Sequence, residues 1–246
     1  MGTPIGPFEK DNVYLGDART LIREIPDQCI DLIVTDPPFA IDFRAQRLNY
    51  NRTGKHVMAG YHEVSGDEYE AFTNEWMGEA FRVLSPSGSM YVFSGWNHLK
   101  EILGGLDKAG FITQNHLIWK YQFGVFTTRK YVTSHYHILF VVKDPRRYTF
   151  NKVEHYPEDV WEIQREYWKG RKKTPTKLPS AIVKKILDFS SDPGDLVLDP
   201  FLGSGTVAAI AKKMGRHFLG FEVVEGYLDF AKERISEIPP VKRPGP

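Results

Sequence analysis

Two short segments carry residue types whose spacing suits chemistry. The first is Asp36-Pro37-Pro38-Phe39, directly after the apolar run Ile30–Thr35. Two prolines fix φ and remove two backbone donors, so the turn is stiff and its carbonyls face outward as acceptors. An acid before them and a ring after them complete an acceptor-rich pocket with a flat wall. That pocket suits a planar group bearing an exocyclic NH2. The Asp36 carboxylate and a proline carbonyl each accept one N–H, and Phe39 stacks on the ring. A plain strand-ending turn would use the same prolines. The second segment is Asp199-Pro200-Phe201-Leu202-Gly203-Ser204-Gly205-Thr206. Its glycines allow a tight turn and close approach of a ligand to the backbone. The helix predicted after it offers unpaired N–H groups. It is neither a P-loop, since no Gly-Lys-Ser/Thr follows, nor the full dinucleotide fingerprint, since the third glycine is missing. The next apolar run ends at Phe221-Glu222, and an acid there is placed to accept from ribose hydroxyls. Strand, glycine turn, helix, strand and acid together read as a site for a nucleoside-containing cofactor.

The elements that must position these segments follow from periodicity. Strands are predicted at Asn12–Leu15, Ile30–Thr35, Ser89–Ser94, Phe111–Lys120, Tyr136–Lys143, Asp195–Asp199 and His217–Phe221. Helices are predicted near Ala18–Ile25, Glu68–Leu84, Asn97–Ala109, Pro179–Phe189, Thr206–Met214 and Gly226–Ile235. This alternation argues for an α/β sheet with helices on both faces, whose ligands bind at the carboxyl ends of the strands. The polar stretch Asp42–Ser65 is too long for an ordinary connection and reads as a functional or mobile loop. The segment Glu154–Lys173 is irregular, aromatic and basic, and the tail Pro239–Pro246 is expected to fray.

Composition narrows the classes. The chain has 246 residues, 41% hydrophobic and 26% charged, with 13% aromatics, which excludes disorder as the main state. The longest clean apolar stretch, His137–Val142, is far short of a bilayer span, and the N-terminal residues show no apolar signal-peptide core. The single cysteine, Cys29, excludes an intrachain disulfide framework and a Cys-rich zinc site. It is expected to pack in the core of an apolar strand. These features predict a soluble, cytoplasmic protein. Net charge is +1, so any nucleic-acid surface must be a local patch. His135 and His137 share one face of a strand, but no third ligand is evident, so no metal is expected.

With both segments in this order, the chain resembles the β-group of S-adenosylmethionine-dependent DNA amino-methyltransferases, which methylate adenine N6 or cytosine N4. The resemblance extends over nearly the whole chain. Gly16-Asp17 with Leu21, Ile33-Val34-Thr35, Arg82-Val83-Leu84 and Leu117-Ile118-Trp119-Lys120 match it as well. It implies a Rossmann-like methyltransferase fold: a mostly parallel, seven-stranded twisted sheet with circularly permuted motif order. It further implies one catalytic domain over residues 1–246, a small target-recognition insert at 154–173 and a DNA-contacting loop at 42–65. Asp36, Pro37, Pro38 and Phe39 then form the catalytic motif. Asp199, Phe201, Gly203, Ser204, Gly205 and Thr206 form the cofactor loop, Glu222 holds the ribose, and Asp17 lies near the adenine moiety of the cofactor. Lys177 lies where the family often carries a His-Pro-x-x-Lys-Pro element. Here the segment reads Thr174-Pro175-Thr176-Lys177-Leu178-Pro179, with no histidine and the lysine one place early.

The implied reaction moves a methyl group to the exocyclic amine of a flipped-out base. Aspartate at position 36 favours adenine N6, because Ser-Pro-Pro is more typical of cytosine enzymes in this family. Cytosine N4 is the alternative, and an inert DNA-binding partner subunit is a further one. RNA and protein amine methyltransferases normally place the cofactor loop before the catalytic motif, the reverse of the order here. The implied partner is double-stranded DNA, and a homodimer and a cognate restriction endonuclease acting on the same site are compatible with it. Basic residues suited to phosphate are Arg44, Arg47, Arg52 and Lys55 in the polar loop, and Arg165, Lys169, Arg171, Lys172 and Lys173 in a run interleaved with Trp161, Tyr167 and Trp168.

Overall fold

The computed structural model describes residues 3–38, 64–122, 124, 126–166 and 177–239. The expectations for Phe39, Arg44, Arg47, Arg52, Lys55, Lys169, Arg171, Lys172, Lys173 and the tail lie outside the described residues. A small antiparallel pair, β1 (Pro4–Ile5) and β2 (Phe8–Glu9), precedes the main fold. No sequence signal announced it. It is held by Phe8, whose ring packs 5.0 Å from Tyr14 and 5.3 Å from Phe221.

The remaining elements alternate as predicted. They are β3 (Asn12–Leu15), α1 (Ala18–Leu21), β4 (Ile30–Thr35), α2 (Tyr69–Val83), β5 (Leu84–Ser94), α3 (Leu99–Ala109), β6 (Ile112–Lys120) and β7 (His135–Val142). They continue with β8 (Val160–Glu162), α4 (Ser180–Ser190), β9 (Leu196–Asp199), α5 (Thr206–Lys213), β10 (His217–Glu222) and α6 (Glu225–Ser236). Two boundaries differ from the sequence reading by more than two residues. The first helix tightens into a 3-10 turn over Ile22–Glu24. The Ser85-Pro86-Ser87-Gly88 segment does not separate α2 from β5. It is a bulge inside β5, where the pairing jumps from Ile30↔Leu84 to Leu32↔Ser89. A bulge absorbs the proline because the extra residues leave the ladder.

Among the described residues the main sheet has eight strands in the order β3-β10-β9-β4-β5-β7-β6-β8. Seven are the predicted ones. The eighth, β8, adds a three-residue parallel edge to β6 through Trp161↔Trp119. It lies within the expected recognition insert. Only β7 runs antiparallel to its neighbours, so the sheet is mostly parallel. Because both faces are covered, the central strands are continuously apolar, and Leu32, Ile33 and Val34 are fully buried. One face packs Ile182, Ile186, Val207, Ala211 and Leu228 from α4, α5 and α6. The other packs Ile22 and Ile25 with Trp76, Met77, Ile102 and Leu106 from α2 and α3. Cys29 corrects an expectation: it lies half-buried before β4 rather than in it, with Sγ 2.9 Å from the Pro26 carbonyl, and burial pushes its thiol up.

Candidate functional site

The order of strands reverses between β4 and β9, since β4 continues to β5 on one side and β9 to β10 on the other. A crevice opens at the strand carboxyl ends at such a switch point. The register brings three acids to it. Ile33 pairs with Leu198 and Gly220 with Asp199, so Asp199, Asp36 just beyond β4 and Glu222 at the end of β10 stand on three adjacent strands. They line one cavity of about 620 Å³, within the range of small-molecule sites. Asp17, Pro37, Pro38, Phe201, Gly203, Ser204 and Thr206 line it too.

The glycine loop is built around two positive φ angles, 51° at Gly203 and 72° at Gly205. Gly205 lacks room as well: a Cβ there would lie 2.8 Å from Ala231 Cβ in α6. Gly205 is absent from the cavity wall, so its task is to turn the chain against α6, while Gly203 faces the cavity. Glu222 staples the loop. The Gly203 N–H donates to Glu222 Oε2 at 2.8 Å and the Val224 N–H to Oε1 at 2.9 Å. Burial pushes the Glu222 carboxyl up, and these backbone donors oppose the shift. Arg234 from α6 adds a second brace, donating to Thr206 Oγ1 at 2.7 Å and to the Ser204 carbonyl at 3.2 Å. Phe201 is held edge-on to Trp76 at 5.4 Å and tilted to Phe72 at 5.7 Å.

Asp36 has the opposite character. Its Oδ1 is buried and has no hydrogen-bond partner among the described residues. Burial alone pushes its carboxyl up to about 7. Asp199, 3% exposed, is raised well above the usual range by burial and then by the charges of Asp36 and Glu222, against the Phe201 N–H that donates to it at 3.2 Å. Asp17 caps α1 by accepting from the Arg19 N–H at 2.8 Å, and the Arg19 guanidinium beside it holds its carboxyl low.

Lys177 and Arg165 are each engaged by a neighbouring side chain. Lys177 is not on the cavity wall; its ammonium pairs with Glu166 at 2.7 Å, and its neighbour Leu178 lines the cavity instead. Arg165, expected on DNA phosphates, is partly buried. Its guanidinium lies 3.8 Å over the Tyr121 ring and 5.5 Å from Tyr136. Sequence reasoning missed Arg234, which braces the loop, and Phe72 and Tyr227, which line the cavity. His135 and His137 gain a neighbour, because His116 Nε2 lies 2.8 Å from His137 Nδ1. Even so, no group of three metal-ligating side chains suited to a metal exists among the described residues.

A doubly wound sheet with a stapled glycine loop, and acids converging at its switch point, defines an α/β enzyme that binds a nucleoside-containing cofactor. The sequence profile of the DNA methylase family, named for N6 and N4 methyltransferases, matches residues 30–233. The chain belongs to this family of DNA amino-methyltransferases, of the restriction-modification kind. It is 31% identical over 239 residues to the Type II methyltransferase M.HpaI of Haemophilus parainfluenzae, covering 89% of this chain and 72% of that one. It is 29% identical over 249 residues to the Type II methyltransferase M.HinfI of Haemophilus influenzae, covering 94% and 69%. The solved structure of the M1.HpyAVI-SAM complex superposes with a TM-score of 0.67 at 25% identity, covering 91% of this chain and 98% of that one. The PvuII DNA methyltransferase (cytosine-N4-specific) has the same fold, with a TM-score of 0.72 at 18% identity over 95% and 87% of the two chains. No described helix is long and apolar enough to cross a membrane.

Proposed function

We propose that the chain methylates the N6 amine of adenine in a specific duplex DNA sequence, using S-adenosylmethionine. The observation that carries the amine-methylating reading is Asp36 Oδ1, a buried acceptor without a partner among the described residues, beside Pro37 and Pro38 in the acid-lined cavity; the choice of adenine rests on aspartate rather than serine at position 36. Buried acceptors are ordinarily paired, so one that is not marks a place for a ligand donor.

The cavity suits the cofactor on its own chemistry. Among the described residues, Asp17, Asp36, Glu68, Glu75, Asp199 and Glu222 line it against one cation, Arg19, and Phe72 and Phe201 supply flat apolar walls. A cationic molecule with an aromatic base matches that wall. S-adenosylmethionine supplies an electrophilic methyl on a positive sulfur. Glu222 is placed for the ribose hydroxyls and Asp17 for the adenine end, while the Gly203 turn lets the ligand approach the backbone. On the substrate side, Asp36 Oδ1 accepts one N–H of the base amine and an outward proline carbonyl accepts the other. The amine lone pair is otherwise delocalised into the ring. Holding both N–H groups localises it towards the methyl, which is positioning plus electrostatic stabilisation of charge developing at nitrogen. Asp36, with its affinity for a proton raised by burial, is also suited to take the proton that the amine sheds. The base must leave the helix to reach so buried an acid. Phe39, next in the motif, is assigned to stacking on it.

The test is expression in a methylation-free host and sequencing of its DNA by a method that detects modified bases. N6-methyladenine at one short motif is expected. N4-methylcytosine would keep the chemistry and overturn the choice of base. A chain that binds S-adenosylmethionine yet leaves no mark would point to the inert-subunit alternative.

A further inference from the structure

The connection between β6 and β7 is the most exposed aromatic feature among the described residues. Tyr131 is 98% and Phe126 82% exposed. Arg129 and Lys130 lie between them and are also exposed. No acidic residue occurs anywhere from Tyr121 to Lys143. Exposed aromatic side chains interleaved with cations, with no acid in the segment, suit a nucleic acid better than an ordinary protein surface.

The base of this connection is firm. The Tyr121 N–H donates to the Ser134 carbonyl at 3.0 Å, and the Tyr121 hydroxyl donates to the Thr133 carbonyl at 3.2 Å. Below it, Trp119 stacks on Tyr136 at 5.5 Å and Arg165 covers Tyr121. The aromatic and cationic side chains therefore stand on an anchored stem. The position is also specific. Thr35 pairs with Val92, and Ser94 with His137, so β7 enters the sheet at the end where Asp36 leaves it. Two strand spacings, about 10 Å, separate β7 from β4. A duplex presenting a base to Asp36 must lie across that end of the sheet.

We propose that the 126–133 connection is a DNA-contacting element, with Arg129 and Lys130 on phosphates and Tyr131 stacking into the duplex beside the vacated base position. This rests on the methyltransferase reading. Sequence-tolerant stacking of exposed rings combined with backbone cations is a general way to hold unpaired nucleic acid. Phosphate contacts fix the register, and the ring compensates for stacking lost when the target base leaves.

The experiment uses the full chain and a duplex carrying the site found by sequencing. DNA affinity is measured against salt concentration, and methyl transfer is measured in parallel. Arg129→Ala with Lys130→Ala is expected to lower the slope of log affinity against log salt by about 0.9 per cation removed. Tyr131→Ala is expected to lower kcat/KM by roughly tenfold with the salt slope unchanged. Tyr131→Phe should match the wild type, because the ring does the work. A mismatch at the target pair should restore much of the Tyr131→Ala loss, since less stacking energy is then needed. All three residues are exposed, so S-adenosylmethionine affinity should be unchanged and serves as the folding control. A double variant with wild-type salt slope, or Tyr131→Ala with wild-type kcat/KM, overturns the proposal while leaving the methyltransferase reading intact. Wild-type protein that binds the cofactor but transfers no methyl group to DNA overturns the reading itself.

Discussion

The two halves of the cavity differ in how their polar groups are satisfied. On the β9–β10 side, both Glu222 oxygens accept backbone N–H groups, Thr206 accepts from Arg234, and the Leu202 N–H donates to the Phe221 carbonyl at 2.8 Å. On the β4 side, Asp36 is only partly buried as a residue, yet its Oδ1 is shut off from solvent and has no partner among the described residues. The loop half is prebuilt and the acid half is unfinished. Burying an unpaired carboxylate costs far more than burying a paired one, and such cost persists where function needs the group. The contrast teaches that the cofactor side is a shape the chain completes alone, whereas the substrate side is completed by the base.

The strongest way to break that contrast is at Asp36. Asp36→Ala is expected to abolish methyl transfer while S-adenosylmethionine still binds. Strong residual transfer, measured with labelled cofactor, would remove the acid from the chemistry. Asp36→Asn separates function from stability. With the folded carboxyl at about 7, above the ordinary range near 4, the native state binds the extra proton. Stability is therefore full at low pH and falls as pH rises through that window. The asparagine variant should melt several degrees higher than the wild type at pH 8 and no higher at pH 4. Equal melting temperatures at pH 8 would mean that Asp36 finds a partner in solution.

The same raised carboxyl sets the next expectation. The ionised carboxylate is the stronger acceptor and the only form that can take up the amine's proton, so kcat/KM should climb with pH and level off above about 7. Asp199 and Glu222, both raised by burial, should make cofactor affinity rise with pH too, because a cationic ligand favours their ionised forms. Calorimetry in buffers of different ionisation heat should then detect protons released on cofactor binding. Proton uptake would contradict the assignment of the acid-lined wall to a cation.

On the prebuilt side the expected losses are smaller. Glu222→Gln keeps one acceptor oxygen but turns an NH2 towards a backbone donor. Losing one hydrogen bond to a charged group costs about 1.5–3 kcal/mol, so cofactor Kd should rise by one to two orders of magnitude without the total loss expected at Asp36. Glu222 was legible in the sequence as an acid at a strand end, and the structure adds its work as a staple. That work was illegible because its donors are the backbone N–H groups of Gly203 and Val224, which carry no residue-type signal. The strands around the site were legible because their apolar runs are short and dense, with β4 and β9 each ending at Asp-Pro. The β1–β2 pair was not, because two residues per strand make no period. Arg165 shows the same limit: the Tyr121 ring it covers is 44 residues away in the chain, so no local pattern announces the contact.

The smallest effect is expected at Lys177. A cofactor ligand here would lose affinity sharply on substitution. The structure instead places its ammonium 2.7 Å from Glu166, whose carboxylate also accepts from the Ser180 N–H at 2.8 Å at the start of α4. Lys177 and Ser180 together hold the Glu166 carboxyl below its ordinary range, although burial opposes them. The pair thus tethers the strap around 166 to the helix that packs beneath β4. Lys177→Met should lower stability by about 1 kcal/mol, the scale of a partly exposed ion pair. It should shift cofactor Kd by less than about threefold, since that factor corresponds to under 1 kcal/mol. A tenfold or larger loss of affinity, with stability unchanged, would return Lys177 to the cofactor wall. It would also show that the half of the cavity described above as prebuilt closes further when its ligand arrives.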